Sequence, residues 1–248
     1  PVPASARARA ARARSARARV TCRGSLRGDC DRPLSPAAGA GKRAVGLGAR
    51  ASRPVVIADT QDNPGAGGDS DTTGMLRALL ANNVKRAAMG VMVDPAAAEA
   101  AHRAGVGSTI ELALGGKSGI AGDSPLRARF LVEALSDGRL DCKGPFYRGA
   151  KMELGLSACL AIDGVRIVLA SKKTQLADQE LYRYVGIEPT EQAILVNKSS
   201  VHFRADFAPI AEHILVAKAR GPIIADPSEF AWKRRARGSR RRPYGRAI

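Results

Sequence analysis

The chain has 248 residues and a formal net charge of +17, and this length suits one large or two small domains. The charge is concentrated at the two ends. Residues 1–50 hold 12 Lys/Arg and 2 Asp/Glu, residues 233–248 hold 8 Lys/Arg and no acid, and residues 51–232 hold 20 bases and 21 acids. A dedicated nucleic-acid-binding face on the central part is therefore disfavoured, because such a face needs clustered basic residues.

The composition also indicates where in the cell the protein is expected. No apolar run reaches the roughly 18 residues that a membrane span needs, so we expect no membrane partner. The four cysteines, at positions 22, 30, 142 and 159, form no CxxC pair. Neither a zinc knuckle nor a disulfide framework is indicated, and the cytoplasm is the expected location.

Residues 1–53 are rich in Ala, Arg and Gly and show no apolar stripe. Like charges crowd together in this segment, so we predict that it is disordered. Residues 226–248 are predicted to be a basic C-terminal tail. Both ends could contact nucleic acid non-specifically through their arginines.

From residue 54 the pattern predicts an α/β domain, with strand–helix alternation first and an antiparallel hairpin insertion in one mixed sheet. Asp163-Gly164 is a strong hairpin signal. Asp94 and Pro95 mark a helix start. The predicted extended segments are 55–58, 87–93, 108–114, 126–135, 152–162, 165–170, 193–197 and 213–217, and the predicted helices lie near 75–80, 96–103 and 178–185.

An acidic, glycine-rich loop follows the first of these strands. It contains Asp59, Asp62, Asp69 and Asp71 together with four glycines, and Ser70, Asp71 and Thr72 are all suitable N-caps for the next helix. Glycines let a backbone approach a ligand closely, but four carboxylates do not suit a bare phosphate. The pattern leaves open a metal site, an ammonium site, or a structural network of caps and turns.

Two other motifs are weaker. Gly115-Gly116-Lys117-Ser118 resembles the end of a nucleotide-binding loop, but Glu111 stands where that loop needs its first glycine. His202 follows a strand and has Lys198, two serines and Arg204 nearby in sequence. Such a group can bind a carboxylate or help to close an active site, although a capped or core histidine is the alternative.

Several of these segments, in the same order, resemble the C-terminal domain of the microcystin-degradation (MlrC-type) metallopeptidase family. The resemblance covers residues 54–225. It rests on the run Val-Ile-Ala-Asp-Thr-Gln-Asp-Asn-Pro-Gly-Ala-Gly-Gly-Asp-Ser-Asp-Thr-Thr, on Gly-Gly-Lys at 115–117, on Gly-Asp-Ser-Pro at 122–125 and on Lys-Ser-Ser-Val-His-Phe-Arg-Ala-Asp-Phe at 198–207.

The resemblance implies a bacterial, cytosolic, zinc-type hydrolase that acts on a peptide or small amide. In that family the metal ligands lie in a separate N-terminal domain, which residues 1–53 do not match. We therefore expect the chain to bind no metal itself and to be inactive alone, with residues 1–53 arising from a truncated gene or a shifted reading frame. The resemblance leaves a homo-oligomer open.

The candidate pocket-lining residues that the resemblance suggests are Asp62, Asn63, Gly65, His202 and Arg204, with no catalytic residue assigned. Two alternatives to the peptidase interpretation remain from the sequence. One is a nucleic-acid-binding protein that acts through its arginine-rich ends, and the other is a non-catalytic ligand-binding module built on the acidic loop.

Overall fold

A computed structural model describes residues 34–234, and residues 34–231 form one compact unit. Its helices are α1 (Ala37–Gly48), α2 (Gly74–Ala81), α3 (Pro95–Ala104), α4 (Glu180–Arg183) and α5 (Arg204–Phe207). Its strands are β1 (Leu34–Pro36), β2 (Val55–Asp59), β3 (Ala87–Val93), β4 (Thr109–Leu114), β5 (Leu126–Ser136), β6 (Arg139–Asp141), β7 (Lys151–Glu153), β8 (Ser157–Ile162), β9 (Val165–Ala170), β10 (Ile194–Asn197) and β11 (His213–Lys218).

Nine strands form one mixed sheet in the order β1-β11-β2-β10-β3-β9-β8-β5-β4. The pairs from β1 to β9 in this order are parallel, whereas β9, β8, β5 and β4 pair antiparallel. β6 and β7 form a separate two-stranded sheet. The predicted α/β class, with its mixed sheet and antiparallel insertion, is confirmed.

Helices cover both faces of this sheet because its parallel strands are apolar on both sides. Val55 and Ile57 pack in an apolar cluster with residues of α1, α2 and α3, whereas Val56 and Ala58 pack in a second cluster with residues of α4 and α5. The alternation along β2 therefore assigns successive side chains to opposite layers.

The hairpin predicted at Asp163-Gly164 joins β8 to β9. Both residues have positive φ, at 50° and 88°, as the favoured two-residue hairpin turn requires. The helix start at Asp94 is also confirmed, because its side chain accepts a hydrogen bond from the Ala97 N–H.

Two expectations are wrong. Residues 34–48 were expected to be disordered, yet they form β1 and α1, and Ala40 and Ala44 are fully buried. Small side chains let α1 lie close to the sheet, so a helix without a strong apolar stripe still packs. The prediction for residues 1–33 and 235–248 lies outside the described residues.

The second error concerns the start of α2. Its N-cap is Thr73, which makes no side-chain capping bond. The three proposed caps are bound elsewhere: Ser70 donates to the carbonyl of Val91, Thr72 donates to Asp62, and Asp71 accepts from the 117–118 loop.

Within residues 34–234, no helix has the length and apolar character of a membrane span.

Candidate functional site

The polar residues singled out by sequence gather at the carboxyl ends of the parallel strands. The loops after β2, β9 and β10 all emerge at this edge, since β2, β10, β3 and β9 are consecutive parallel neighbours. Ligands of open α/β sheets bind outside this edge. The carboxyl edge, formed here by residues 59–73, 171–176 and 198–203, is therefore the region in which to look for a site.

A buried lysine holds the edge together from beneath. The Nζ atom of Lys198 lies 3.0 Å from Asp59 Oδ2 and 2.8 Å from Asp62 Oδ2, and it donates to the Thr72 carbonyl oxygen at 3.0 Å. All four residues are completely buried. The carboxylates of the acidic loop thus bind an ammonium group of the chain itself, one of the alternatives that the sequence left open.

Lys198, Asp59, Asp62 and Thr72 form what we call the buried ion cluster. Burial and the neighbouring charges shift the pKa values of its ionisable groups in opposite directions. Burial raises the pKa of Asp59 despite the nearby ammonium, and its Oδ1 has no hydrogen-bond partner among the described residues. Burial would also raise the pKa of Asp62, but Lys198 and bonds from Thr72 outweigh it and lower the pKa. Burial would lower the pKa of Lys198, but the two carboxylates raise it.

Asp62 also fixes the shape of the loop above it. Its Oδ1 accepts from the Ser70 N–H at 2.7 Å, and its Oδ2 accepts from the Thr72 N–H at 2.9 Å. Both carboxylate oxygens of Asp62 are bound and the residue has no exposed surface. Asp62 therefore holds the loop in place from inside the fold. Its predicted place in the lining of a pocket remains a prediction.

The Gly-Gly-Lys-Ser segment is a second anchor for the same loops. Lys117 Nζ binds both carboxylate oxygens of Asp94, at 2.8 and 2.6 Å, and Ser118 Oγ donates to Asp71 at 2.6 Å. A phosphate-binding lysine would instead point toward a ligand. Here the segment instead joins two loops of the chain, in keeping with the weak match to a nucleotide-binding loop.

The upper rim of the carboxyl edge brings together three of the five candidates. Asn63 Oδ1 accepts from the Gly65 N–H at 3.0 Å, and Asn63 Nδ2 donates to Ser200 Oγ at 3.0 Å. His202 Nδ1 lies 3.1 Å from the amide nitrogen of Gln175. The Gln175 side chain passes Gly65 to reach this histidine. A Cβ atom added at Gly65 would lie only 2.3 Å from Gln175 Oε1, so a larger residue there would obstruct the contact.

Two aromatic residues complete the rim from the connection between β6 and β7. The Phe146 ring stacks on His202 with centroids 4.1 Å apart and an interplanar angle of 18°. The Tyr147 hydroxyl donates to the Gln175 carbonyl oxygen at 3.3 Å, and burial raises the pKa of this hydroxyl. Phe146 is 43% exposed, so the shelf that it forms with His202 is open to solvent.

Arg204, the fifth candidate, lies on α5, and its guanidinium carbon is 5.4 Å from the centroid of the Phe203 ring. The roles proposed for all five candidates remain predictions. Sequence reasoning missed Gln175 and Phe146. Applying the strand-end rule to β9 would have pointed to the segment that contains Gln175, but Phe146 comes from a distant hairpin and leaves no such signal.

The described residues do not fit a zinc ion. Within residues 34–234, no group of three or more His, Cys, Asp or Glu side chains is arranged to hold a metal. The carboxylates of Asp59 and Asp62 are already bound to Lys198. Cys142 and Cys159 are buried free thiols, and burial raises the pKa of each to about 12.

A cleft of about 510 Å³ opens at the other end of the strands, beside Arg86, Asp163 and Gln192. Its charged lining is partly neutralised, because Arg166 Nε lies 2.6 Å from Glu133 Oε2. Volume alone does not assign chemistry, and this cleft lies away from the strand ends at which α/β sheets bind ligands. The carboxyl edge is therefore the stronger candidate.

Comparison with known proteins agrees with this fold. A curated relative, Microcystinase C from Sphingomonas sp, is 28% identical over 162 residues, which make up 65% of this chain and 31% of that protein. The crystal structure of a proposed metallopeptidase from Mesorhizobium sp. BNC1 superposes with a TM-score of 0.71 at 23% identity. That match covers 80% of this chain and 39% of the other, and at this identity it shows the fold alone.

The chain thus spans about a third of the length of these relatives. Residues 57–234 match the family described as MlrC C-terminus, a range that includes the acidic loop, the buried ion cluster and the rim. Because this match extends over most of the chain, the protein belongs to the MlrC C-terminus family.

Proposed function

We propose that this chain forms the C-terminal wall of the active-site cleft of a zinc-type peptidase or amidohydrolase. The zinc ligands then belong to an N-terminal domain that residues 1–248 do not contain. The substrate class is a peptide or a small amide, by analogy with the relative named Microcystinase C. We also propose the cytoplasm as the compartment, where the buried thiols of Cys142 and Cys159 would stay reduced.

The observation that carries this proposal is the set of hydrogen bonds that link the loops of the carboxyl edge. Lys198 fixes the loop after β2 to the loop after β10, and Gln175 joins the loop after β9 to His202. A wall of this kind positions a substrate rather than activating water. Positioning supplies a large share of enzymatic rate enhancement when the reacting groups are held close to the productive geometry.

The absence of a fitting metal site among residues 34–234 gives the first test. We expect the purified chain to bind no tight, stoichiometric zinc and to hydrolyse no peptide from a panel of cyclic and linear substrates. Metal analysis by mass spectrometry and an assay of released amines measure the two quantities. One tightly bound zinc per chain together with turnover would refute the proposal.

A chimera gives the positive test. In Microcystinase C, the segment that matches this chain is replaced by residues 34–234 of this protein, so that β1 and α1 stay with the sheet that they pack against. We expect the chimera to bind zinc and to retain measurable hydrolysis, because the rim and its supporting cluster are carried over intact. A chimera that folds and binds zinc but has no activity would argue against a role for this domain in the cleft.

A further inference from the structure

We infer that His202 contacts the bound substrate through Nε2, as a hydrogen-bond donor to a carbonyl or carboxylate oxygen, and that Gln175 positions it. The inference rests on the proposed function, because it takes the carboxyl edge to be the wall of the substrate cleft. It names the contacting atom, the chemistry of the ligand and a positioning residue that sequence reasoning missed.

The orientation of the ring decides which nitrogen carries the proton. Gln175 Nε2 lies 3.1 Å from His202 Nδ1, and Gln175 Oε1 lies 3.4 Å from the same atom. We infer from the shorter contact that the amide N–H donates to Nδ1. A neutral imidazole that accepts at Nδ1 carries its proton on Nε2, so that Nε2 is the donor left to face a ligand.

Gln175 is itself held in place. It is only 3% exposed, and its backbone carbonyl accepts from the Tyr147 hydroxyl at 3.3 Å. Its side chain passes Gly65, where a Cβ atom would stand 2.3 Å from Oε1 and 2.9 Å from Cδ. The missing side chain at Gly65 is thus what allows the amide to reach His202.

His202 receives this support although it is exposed. The bond gives the buried Gln175 amide a partner, whereas water could satisfy the exposed imidazole equally well, so the imidazole itself gains little stability from it. What the bond does fix is the tautomer and the direction of the ring, and the stacked ring of Phe146 restricts it further. These are the properties of a side chain that must present one defined donor.

The surroundings indicate the class of ligand. Phe146, which stacks on the imidazole, is 43% exposed, and Val201, the residue before His202 in the chain, is 62% exposed. An N–H donor next to an open apolar surface suits a short peptide, with its carbonyl or carboxylate oxygen on Nε2 and an apolar side chain on Phe146. The oxygen could come from an internal amide or from the terminal carboxylate.

The test uses the complete chain labelled with ¹⁵N-histidine at pH 8, where ordinary imidazoles are neutral. Imidazole ¹H–¹⁵N spectra report the tautomer of each of the three histidines. We expect His202 to carry its proton on Nε2. An N-acetylated Ala-Phe-Ala-Ala peptide is then titrated to millimolar concentration, with either a free or an amidated C-terminus.

We expect the resonances of His202 to shift, and those of His102 and His213 to stay in place. Shifts with both peptides identify an internal carbonyl, and shifts with the free acid alone identify the carboxylate; either result supports the inference. If neither peptide moves the His202 resonances, or if the proton lies on Nδ1, the assigned contact is overturned.

Variants separate contact from positioning. We expect His202→Gln and Gln175→Leu to weaken peptide binding at least fivefold, and Gln175→Leu also to mix the two tautomers of His202. The matched control is His213→Gln, an exposed histidine at the start of β11, which should bind as the parent does. Unchanged tautomer and affinity in Gln175→Leu would refute the positioning role.

Because Gln175 is buried, its variant could fail to fold. Phe146→Ala changes an exposed side chain instead, and we expect it to loosen the His202 ring and to weaken binding about threefold. Unchanged binding would count against the shelf. The Microcystinase C chimera distinguishes failure of this inference from failure of the proposed function. If the chimera is active but the peptide tests fail, only the His202 contact is refuted. If the chimera folds and binds zinc but is inactive, the proposed function is refuted.

Discussion

Lys198 is the residue on which the local structure of the carboxyl edge depends most. It is fully buried and binds Asp59, Asp62 and the backbone of Thr72. Removing one partner of a buried ion pair typically costs about 3–5 kcal/mol, because a charge is left in a medium that cannot solvate it. We therefore predict that Lys198→Met lowers the free energy of unfolding by about 3–5 kcal/mol, measured by urea denaturation.

Lys173→Met is the matched control. Lys173 pairs with Asp69 at the same edge of the sheet, but its side chain is 52% exposed. Exposed pairs contribute about 0–1 kcal/mol, so this substitution should leave the denaturation midpoint nearly unchanged. Equal losses in the two variants would mean that burial does not govern the strength of the Lys198 contacts.

Glu188 gives a prediction about pH. Bonds from Arg183, at 2.8 and 3.1 Å, lower the pKa of Glu188 from 4.5 to about 2. A lowered carboxyl pKa stabilises the fold at pH values above the unfolded pKa, and this contribution disappears as the pH falls from about 4.5 to about 2. We expect Glu188→Gln to flatten the pH dependence of stability in that window.

The size of this effect is limited by solvent. The Glu188 side chain is 35% exposed, so its contribution at neutral pH should be about 1 kcal/mol or less. Urea denaturation at half-unit pH steps measures it, with Glu191→Gln in the same turn as control. If stability depends on pH as steeply in Glu188→Gln as in the parent protein, other groups cause the loss of stability in acid.

At the scale of single residues, the sequence predicted which side chains lie at the site better than it predicted which side chains they contact. Asn63, Gly65 and His202 do come together, because each follows a parallel strand and such loops meet at one edge. Gln175 supplies the link between them, and the pairing of Lys198 with Asp59 joins residues 139 positions apart. Partners this distant in the chain are set by tertiary packing, which one sequence does not reveal.

At the scale of elements, α1 carries a prediction. Ala44 is completely buried in the apolar cluster that α1 shares with α2 and the sheet, whereas the next residue, Val45, is 37% exposed. A carboxylate at position 44 would be desolvated without a partner. We predict that Ala44→Asp lowers the free energy of unfolding by at least about 3 kcal/mol.

Val45→Asp places the same side chain one position along the helix, on the exposed side. Its cost should stay within about 1 kcal/mol, as for other surface substitutions. Thermal and urea denaturation of the two variants measure the difference. If Ala44→Asp were as mild as Val45→Asp, α1 would not be an integral part of the folded unit.

The error at α1 and the success elsewhere have one physical cause. The strands over 55–59, 87–93 and 165–170 were found because their β-branched and apolar runs are strong local signals. α1 contains four glycines, which lower its helix propensity and hide it from a local reading of the sequence, and its contacts with the core stabilise it.

At the scale of the whole molecule, most of the excess positive charge lies outside residues 34–231 in the sequence. Residues 34–231 hold 23 bases and 21 acids, whereas residues 1–33 hold nine bases and residues 232–248 hold eight. Each phosphate that a protein neutralises contributes about 0.9 to the slope of log K against log salt. Seventeen end-segment bases therefore bound the slope of DNA binding by the complete chain at about −15.

The last prediction tests the nucleic-acid alternative directly. We expect the complete chain to bind duplexes of unrelated sequence equally, with affinity falling steeply between 50 and 200 mM salt, and a chain limited to residues 34–231 to show no measurable binding at 150 mM. Fluorescence anisotropy with two duplexes of equal length measures both. Because a nearly neutral unit offers few phosphate contacts, sequence-specific binding by residues 34–231 would require a base-reading surface on the fold itself. Such binding would favour a nucleic-acid function over the proposed hydrolase function.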